Sequence, residues 1–249
     1  LISNLILLIT VGLLVGIFVI SLGGGGGAIY LGVLTALFSL PPATAAATSI
    51  VTALPALVLG SWAYYRRGMI DFHLGNRMLV AAIPSIFVGF WLSPWLPEQT
   101  YKLVIGLILV ALGIQLIYKV YHQPVRKQVA SKWGSVAYGI LGGLMVGIAG
   151  LSGGGPITAG LLLLNVRMAN ASATSAYVLV GMSVVGAILH LTGGSVDWAA
   201  AGGLVAGSLV GALLAPPVIL WLTRKSQRTL IIKLVLGIML ILMGIKTTI

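Results

Sequence analysis

The chain has 249 residues, 59% of them hydrophobic and 7% charged, with 14 Lys or Arg against 3 Asp or Glu and a net charge of +11. A water-soluble domain carries about 25% charged residues, so this chain cannot cover a globular surface and is excluded as a soluble protein. The absence of cysteine excludes a disulfide framework or a thiolate metal site, and the basic residues form no folded nucleic-acid-binding module.

Ten apolar segments follow one another along the chain, and they predict an all-α protein that crosses a lipid bilayer many times. The first, Leu5–Leu22, has no basic region before it and no small-residue cleavage site after it, so it reads as a membrane helix rather than a secretory signal. The glycine run Gly23-Gly24-Gly25-Gly26-Gly27 separates it from the second, Ala28–Leu40. Ala43–Tyr65, Met78–Leu96, Tyr101–Tyr118 and Trp133–Leu151 come next. A second glycine run, Ser152-Gly153-Gly154-Gly155-Pro156, then opens Ile157–Val166, and Ala171–Leu191, Trp198–Leu222 and Leu230–Ile245 complete the set. A full crossing needs about 20 residues. The second and seventh segments are too short for that, which predicts that they are buried in the bundle or re-enter from one side.

The chain repeats itself. Ala43, Ala45, Ala47, Thr48 and Ser49 match Ala169, Ala171, Ala173, Thr174 and Ser175 at one constant offset, which also pairs Gly60 with Gly186, Gly68 with Gly194, Asp71 with Asp197, and Trp95 with Trp221. Gly25, Gly26 and Gly27 align with Gly153, Gly154 and Gly155 after a two-residue adjustment. A colinear series that includes Asp, Trp and Thr-Ser predicts a duplication, with a first repeat over 1–122, a connector over 123–133 and a second repeat over 134–249, all in one membrane domain. Equivalent loops differ in basic residues: Arg66, Arg67 and Arg77 follow the third segment, whereas no Lys or Arg lies between Thr192 and Asp197. Lys and Arg are retained on the cytoplasmic side. The repeats are therefore expected to be inserted with opposite topology, and the connector with Arg126, Lys127 and Lys132, together with Lys119 just before it, to be cytoplasmic. Inverted repeats meeting at mid-membrane are a transporter architecture.

The candidate substrate site comes from residues found at equivalent places in both halves. Consecutive glycines, Gly24, Gly25, Gly26 and Gly27 in the first half and Gly153, Gly154 and Gly155 beside Ser152 in the second, cannot propagate a stable helix. They let backbone N–H groups point into a cavity, and Pro156 suits the start of a new helix, whose N-terminus favours an anion. Thr48 and Ser49, with Thr44 and Thr52 nearby, are matched by Thr174 and Ser175, with Asn170 and Ser172. Their hydroxyls can donate to an oxyanion without bringing a charge into the membrane. The plainer alternative is that such hydroxyls bond their own helix or join neighbours.

The glycine-rich turn, the Ala/Thr/Ser helix after it and the Gly-x-x-Asp corner in each half resemble the TauE/SafE sulfite exporter family, also called the TSUP group, over nearly the whole chain. The resemblance implies a multi-pass permease of the bacterial inner membrane that moves small sulfur-containing anions such as sulfite, sulfoacetate or related sulfonates. It places Gly24 to Gly27, Ser152 to Gly155, Thr48-Ser49 and Thr174-Ser175 on the central path. No cofactor, metal or enzymatic activity is implied.

The remaining residues point less far. Asp71 and Asp197 each precede an apolar segment and are expected to cap helices. His73 and His122 have no spacing partner for a metal. Gly203, Gly207 and Gly211 form a stripe that can join helices within one chain or in a homodimer. A passive anion channel would use the same glycine turns as a carrier. An intramembrane protease resembling the rhomboids would need Ser152 activated by His190; against it, the first-half counterpart of Ser152 is glycine.

Overall fold

Asp71 and Asp197 set the starts of two long helices. Each side chain accepts from the backbone N–H three residues on, Asp71 from Leu74 at 3.1 Å and Asp197 from Ala200 at 2.9 Å, satisfying a donor that a helix start leaves unpaired. The computed structural model describes residues 2–23, 30, 34, 42–95, 97–122, 131–149, 153–190 and 196–248, and is all-α. Its helices are α1 (Ile2–Leu22), α2 (Pro42–Tyr65), α3 (Phe72–Leu92), α4 (Glu98–His122), α5 (Lys132–Ala149), α6 (Gly154–Leu163), α7 (Met168–His190), α8 (Trp198–Leu222) and α9 (Ser226–Thr248), with a 3-10 turn at Ser93–Trp95.

These elements match the apolar segments closely where the chain is described. Tyr30 and Leu34 are the described positions within the second segment, and both are buried. Helix α3 begins six residues before the apolar run, because the Asp71 cap draws the polar turn His73–Arg77 into the helix. Helix α6 has ten residues, or about 15 Å of rise, half a hydrocarbon core of about 30 Å. It is buried along almost its whole length, inside the bundle. By length and composition, four described helical stretches can cross a membrane: Phe72–Trp95, Met168–Leu189, Trp198–Leu222 and Gln227–Ile245. All six tryptophans (Trp62, Trp91, Trp95, Trp133, Trp198 and Trp221) are exposed and sit within about a turn of a helix end. That is where amphipathic rings meet the headgroup level. Between them, exposed Leu14, Val80, Phe87, Ile114 and Ile188 offer lipid an apolar face.

The principal helix pairs join the first half of the chain to the second. Helix α1 lies along α8, α3 along α5, and α4 along α9, with α2 against α7 and α8. The close approaches are made by glycine. A Cβ on Gly207 would stand 1.9 Å from the Ile9 carbonyl oxygen, and one on Gly211 2.5 Å from that of Leu13, so α1 and α8 run parallel with backbones in contact. Gly139, Gly143 and Gly147 of α5 meet the carbonyls of Met78, Ala82 and Ile86 in the same manner, and α3 and α5 are also parallel. Gly113 meets Gly237 and Gly244 meets Gly106, which sets α4 antiparallel to α9. Gly207 and Gly211 of the predicted stripe are thus used inside the chain.

Candidate functional site

Helices α2 and α7 carry the repeated Thr-Ser pairs, and both pairs are buried. Thr48 Oγ1 accepts from the Asp197 backbone N–H at 3.1 Å, and Thr174 Oγ1 accepts from the Asp71 backbone N–H at 2.9 Å. Each half therefore stitches the capped helix start of the other, through the same two residues. A threonine hydroxyl accepts through its lone pairs and donates through its proton, so this bond leaves the donor role open.

Beside Thr174, Ser175 donates to the carbonyl of Gly23 at 2.7 Å. Thr158 of α6 bonds both that carbonyl and the Ser175 hydroxyl, the latter at 2.9 Å. Gly23, at φ 68°, stands in the left-handed region that favours glycine. A Cβ there would lie 2.9 Å from Thr158 Oγ1 and 3.0 Å from Ser172 Cα. The opening of the first glycine run is thus packed against the short helix that follows the second run. Tyr64 donates from its hydroxyl to Ile20 at 3.0 Å, fixing the end of α1 just before that turn.

Gly153 caps α6 without a side-chain hydrogen bond, and Gly154 and Gly155 form its first turn. Pro156 is the third helical residue rather than the first, still in the first turn, where a backbone donor would have no partner within the helix and its absence costs nothing. Gly153 is wedged against the Gly142 carbonyl of α5, where a Cβ would lie 2.6 Å away. A small hollow of about 30 Å³ reaches Gly154, Gly155 and Thr158. Of the residues expected at the site, Gly24, Gly25, Gly26, Gly27 and Ser152 lie outside the described residues, as does the His190 side chain. Of the remaining members, Ser175 meets Gly23 and Thr158, the hollow brings Thr158 together with Gly154 and Gly155, and Thr48-Ser49 lies on α2, with Thr48 bonded to the start of α8. Thr158 was missed in the sequence, because the repeat sets it opposite Tyr30 rather than another Ser or Thr.

The profile of the sulfite exporter TauE/SafE family matches residues 8–247. The chain belongs to that family. It is similar to three proteins of Bacillus subtilis (strain 168), each named a probable membrane transporter protein. YdhB is 26% identical over 212 residues, covering 83% of this chain and 86% of the relative. YunE is 24% identical over 267 residues, covering 97% and 96%, and YjnA is 25% identical over 225 residues, covering 83% and 87%. This TauE/SafE chain is accordingly a multi-pass membrane transporter.

Proposed function

We propose that the protein carries a small sulfur oxyanion or organosulfonate across a bacterial inner membrane by alternating access, at a site between two inverted repeats. The observation that carries this reading is the reciprocal stitch of Thr48 to Asp197 and Thr174 to Asp71. The same residues repeat in the two halves and each reaches across to the other. Parallel packing within the α1–α8 and α3–α5 pairs supports it, because each pair joins a helix of one half to a helix of the other. The repeats are 1–122 and 134–249, linked through 123–133. The substrate path runs by Gly24, Gly25, Gly26 and Gly27, Thr48-Ser49, Ser152 to Gly155 and Thr174-Ser175, where hydroxyls and amide hydrogens receive the anion without a buried counter-charge.

No ATP-binding motif is needed for export. A membrane potential negative inside favours anion exit by about 2.3 kcal/mol per charge per 100 mV. Purified protein in liposomes loaded with sulfite or sulfoacetate is expected to show efflux of the labelled anion, accelerated by the same unlabelled anion on the far side. Efflux without that acceleration would mark a channel. Flux of a cation or neutral solute, with none of these anions moving, would refute the reading.

A further inference from the structure

A large cavity lies away from the hydroxyl cluster, at one end of the bundle. It has a volume of about 460 Å³ and is bounded by the end of α4, the α6–α7 connection, the end of α8 and the start of α9. Lys119, Lys233 and Arg167 line it together with Asn170, Thr223 and Thr229, and no carboxylate does. Lys119 and Lys233 are both half-buried, and their like charges repel each other. Lys119 Nζ donates to the Leu163 carbonyl at the end of α6, which holds its ammonium inside the cavity wall instead of in bulk water. Asn170 Nδ2 is braced on the Met69 carbonyl at 3.0 Å.

Placing two ammonium groups in partial burial beside a guanidinium is unfavourable unless an anion joins them. The chain has few carboxylates to do so. Asp71 and Asp197 cap helices, and Glu98 starts α4 at the end opposite Lys119, about 30 Å away along the helix. The cavity also leads somewhere. Leu116 and Leu162 line both it and the small hollow at Gly154, Gly155 and Thr158, so two buried leucines form the partition between the cationic chamber and the glycine turn.

We propose that this chamber is a loading site for a small, doubly acceptor-rich oxyanion such as sulfite, sulfate or a sulfonate, held by Lys119 and Lys233 with Arg167 at the rim, on the cytoplasmic side of the Leu116–Leu162 partition. The inference rests on the anion-transport reading above for its place in the transport cycle, but not for the binding itself. The side follows from charge: among the described residues, only Lys102 and Lys246 of the basic residues sit toward the opposite helix ends. A soluble oxyanion suits the chamber better than a lipid phosphate, because its inner wall adjoins the glycine turn rather than the outer apolar face.

The test uses the full chain and labelled sulfite and sulfate, with wild type, Lys233→Gln, Lys119→Arg and the double variant Lys119→Gln/Lys233→Gln. Because Lys119 also holds the end of α6, Lys233→Gln is the variant least exposed to misfolding, and Lys119→Arg keeps the charge. Binding to detergent-purified protein is expected to weaken about tenfold or more for each ammonium removed and to lose part of its salt dependence. In neutral-lipid vesicles the KM for loading from this side should rise in step, with kcat nearly unchanged, and Lys119→Arg, which keeps the charge, should raise it less than Lys233→Gln does. Anion flux with an unaltered KM in Lys233→Gln and in the double variant would overturn the chamber and leave the transport reading standing. Lysine-dependent binding without any flux would uphold the chamber and remove the transport reading. Absence of both binding and flux would remove both. Retention of phosphatidylglycerol in native mass spectra, dependent on the two lysines and not displaced by sulfite, would identify a lipid headgroup site and overturn the proposal.

Discussion

A methyl group added at Gly207 is expected to break the tightest glycine contact among the described residues. Its carbon would sit 1.9 Å from the Ile9 carbonyl oxygen and 2.7 Å from the Leu13 amide nitrogen, both backbone atoms of α1. Reaching even a tight contact of 3.4 Å requires α1 to retreat by about 1.5 Å. No side-chain rotation relieves this. A gap of 0.5–1 Å already forfeits a quarter to a half of each dispersion contact, and overpacking of this kind costs about 1–3 kcal/mol. With rigid backbone as the obstacle the upper end applies, offset by up to about 1 kcal/mol from the better helix propensity of alanine. Gly207→Ala should therefore destabilise by about 2 kcal/mol, or about 4–8 °C in Tm for a chain this long. Gly202 supplies the internal control, because it lies in the same helix with nothing within 4 Å of its would-be Cβ. Gly202→Ala should be neutral or slightly stabilising. Thermal unfolding in detergent, followed by tryptophan fluorescence or by loss of the monodisperse chromatographic peak, measures both. Equal melting of the two variants would refute the backbone-contact argument.

Replacing Thr48 or Thr174 by valine removes the acceptor of the Asp197 or Asp71 backbone N–H while keeping the shape. An unpaired donor in such a place costs about 1–3 kcal/mol, whereas serine retains the oxygen. Each valine variant should melt lower and its serine counterpart stay close to wild type; coincident melts for valine and serine would show that the stitch carries no stability. Gly23→Ala should be worse tolerated than Gly68→Ala. Both glycines have positive φ, at 68° and 63°, but a Cβ on Gly23 meets Thr158, Ser172 and Ser175 while one on Gly68 meets nothing within 4 Å. Gly68→Ala thus incurs only the left-handed penalty of about 1–2 kcal/mol, and protein yield and Tm of the two variants in parallel test the ordering.

Helix existence was legible almost throughout, because membrane segments announce themselves by length and apolarity, but boundaries depended on caps. Trp198–Leu222 came out to the residue, since Asp197 stands directly before the apolar run. The start of α3 did not, since its first turn is polar and hydropathy stops at Met78. One small-residue stripe could be seen, yet not its partner: nothing in Gly203, Gly207 and Gly211 names Ile9 and Leu13, and the stripe Gly139, Gly143 and Gly147 was not singled out at all. The hydroxyl cluster was found through its repetition, and for the same reason Thr158, whose repeat position holds Tyr30, escaped. The cationic chamber was invisible for another reason. Lys119, Arg167 and Lys233 are far apart in sequence, and each looks like an ordinary residue of the positively charged face.

The packing bears on how the two proposed repeats can move. A rocking motion is usually pictured as one repeat turning against the other, which requires an interface between halves that can slide. Here the contacts that cannot slide are the ones between the halves. Glycine against backbone carbonyl in α1–α8, α3–α5 and α4–α9 leaves no room for a ridge to pass. The rigid bodies on the proposed mechanism are therefore mixed, each built around one helix pair with a member from either half. The contacts left to change are those of α2 and α7, where hydroxyls tie the helices to their neighbours: Thr48 to Asp197, Thr174 to Asp71, and Ser175 to Gly23. Hydrogen bonds can be exchanged for bonds to an anion at small net free-energy change, whereas interlocked backbones cannot be exchanged for anything. The place where the substrate would be received and the place where the bundle is able to open are then the same.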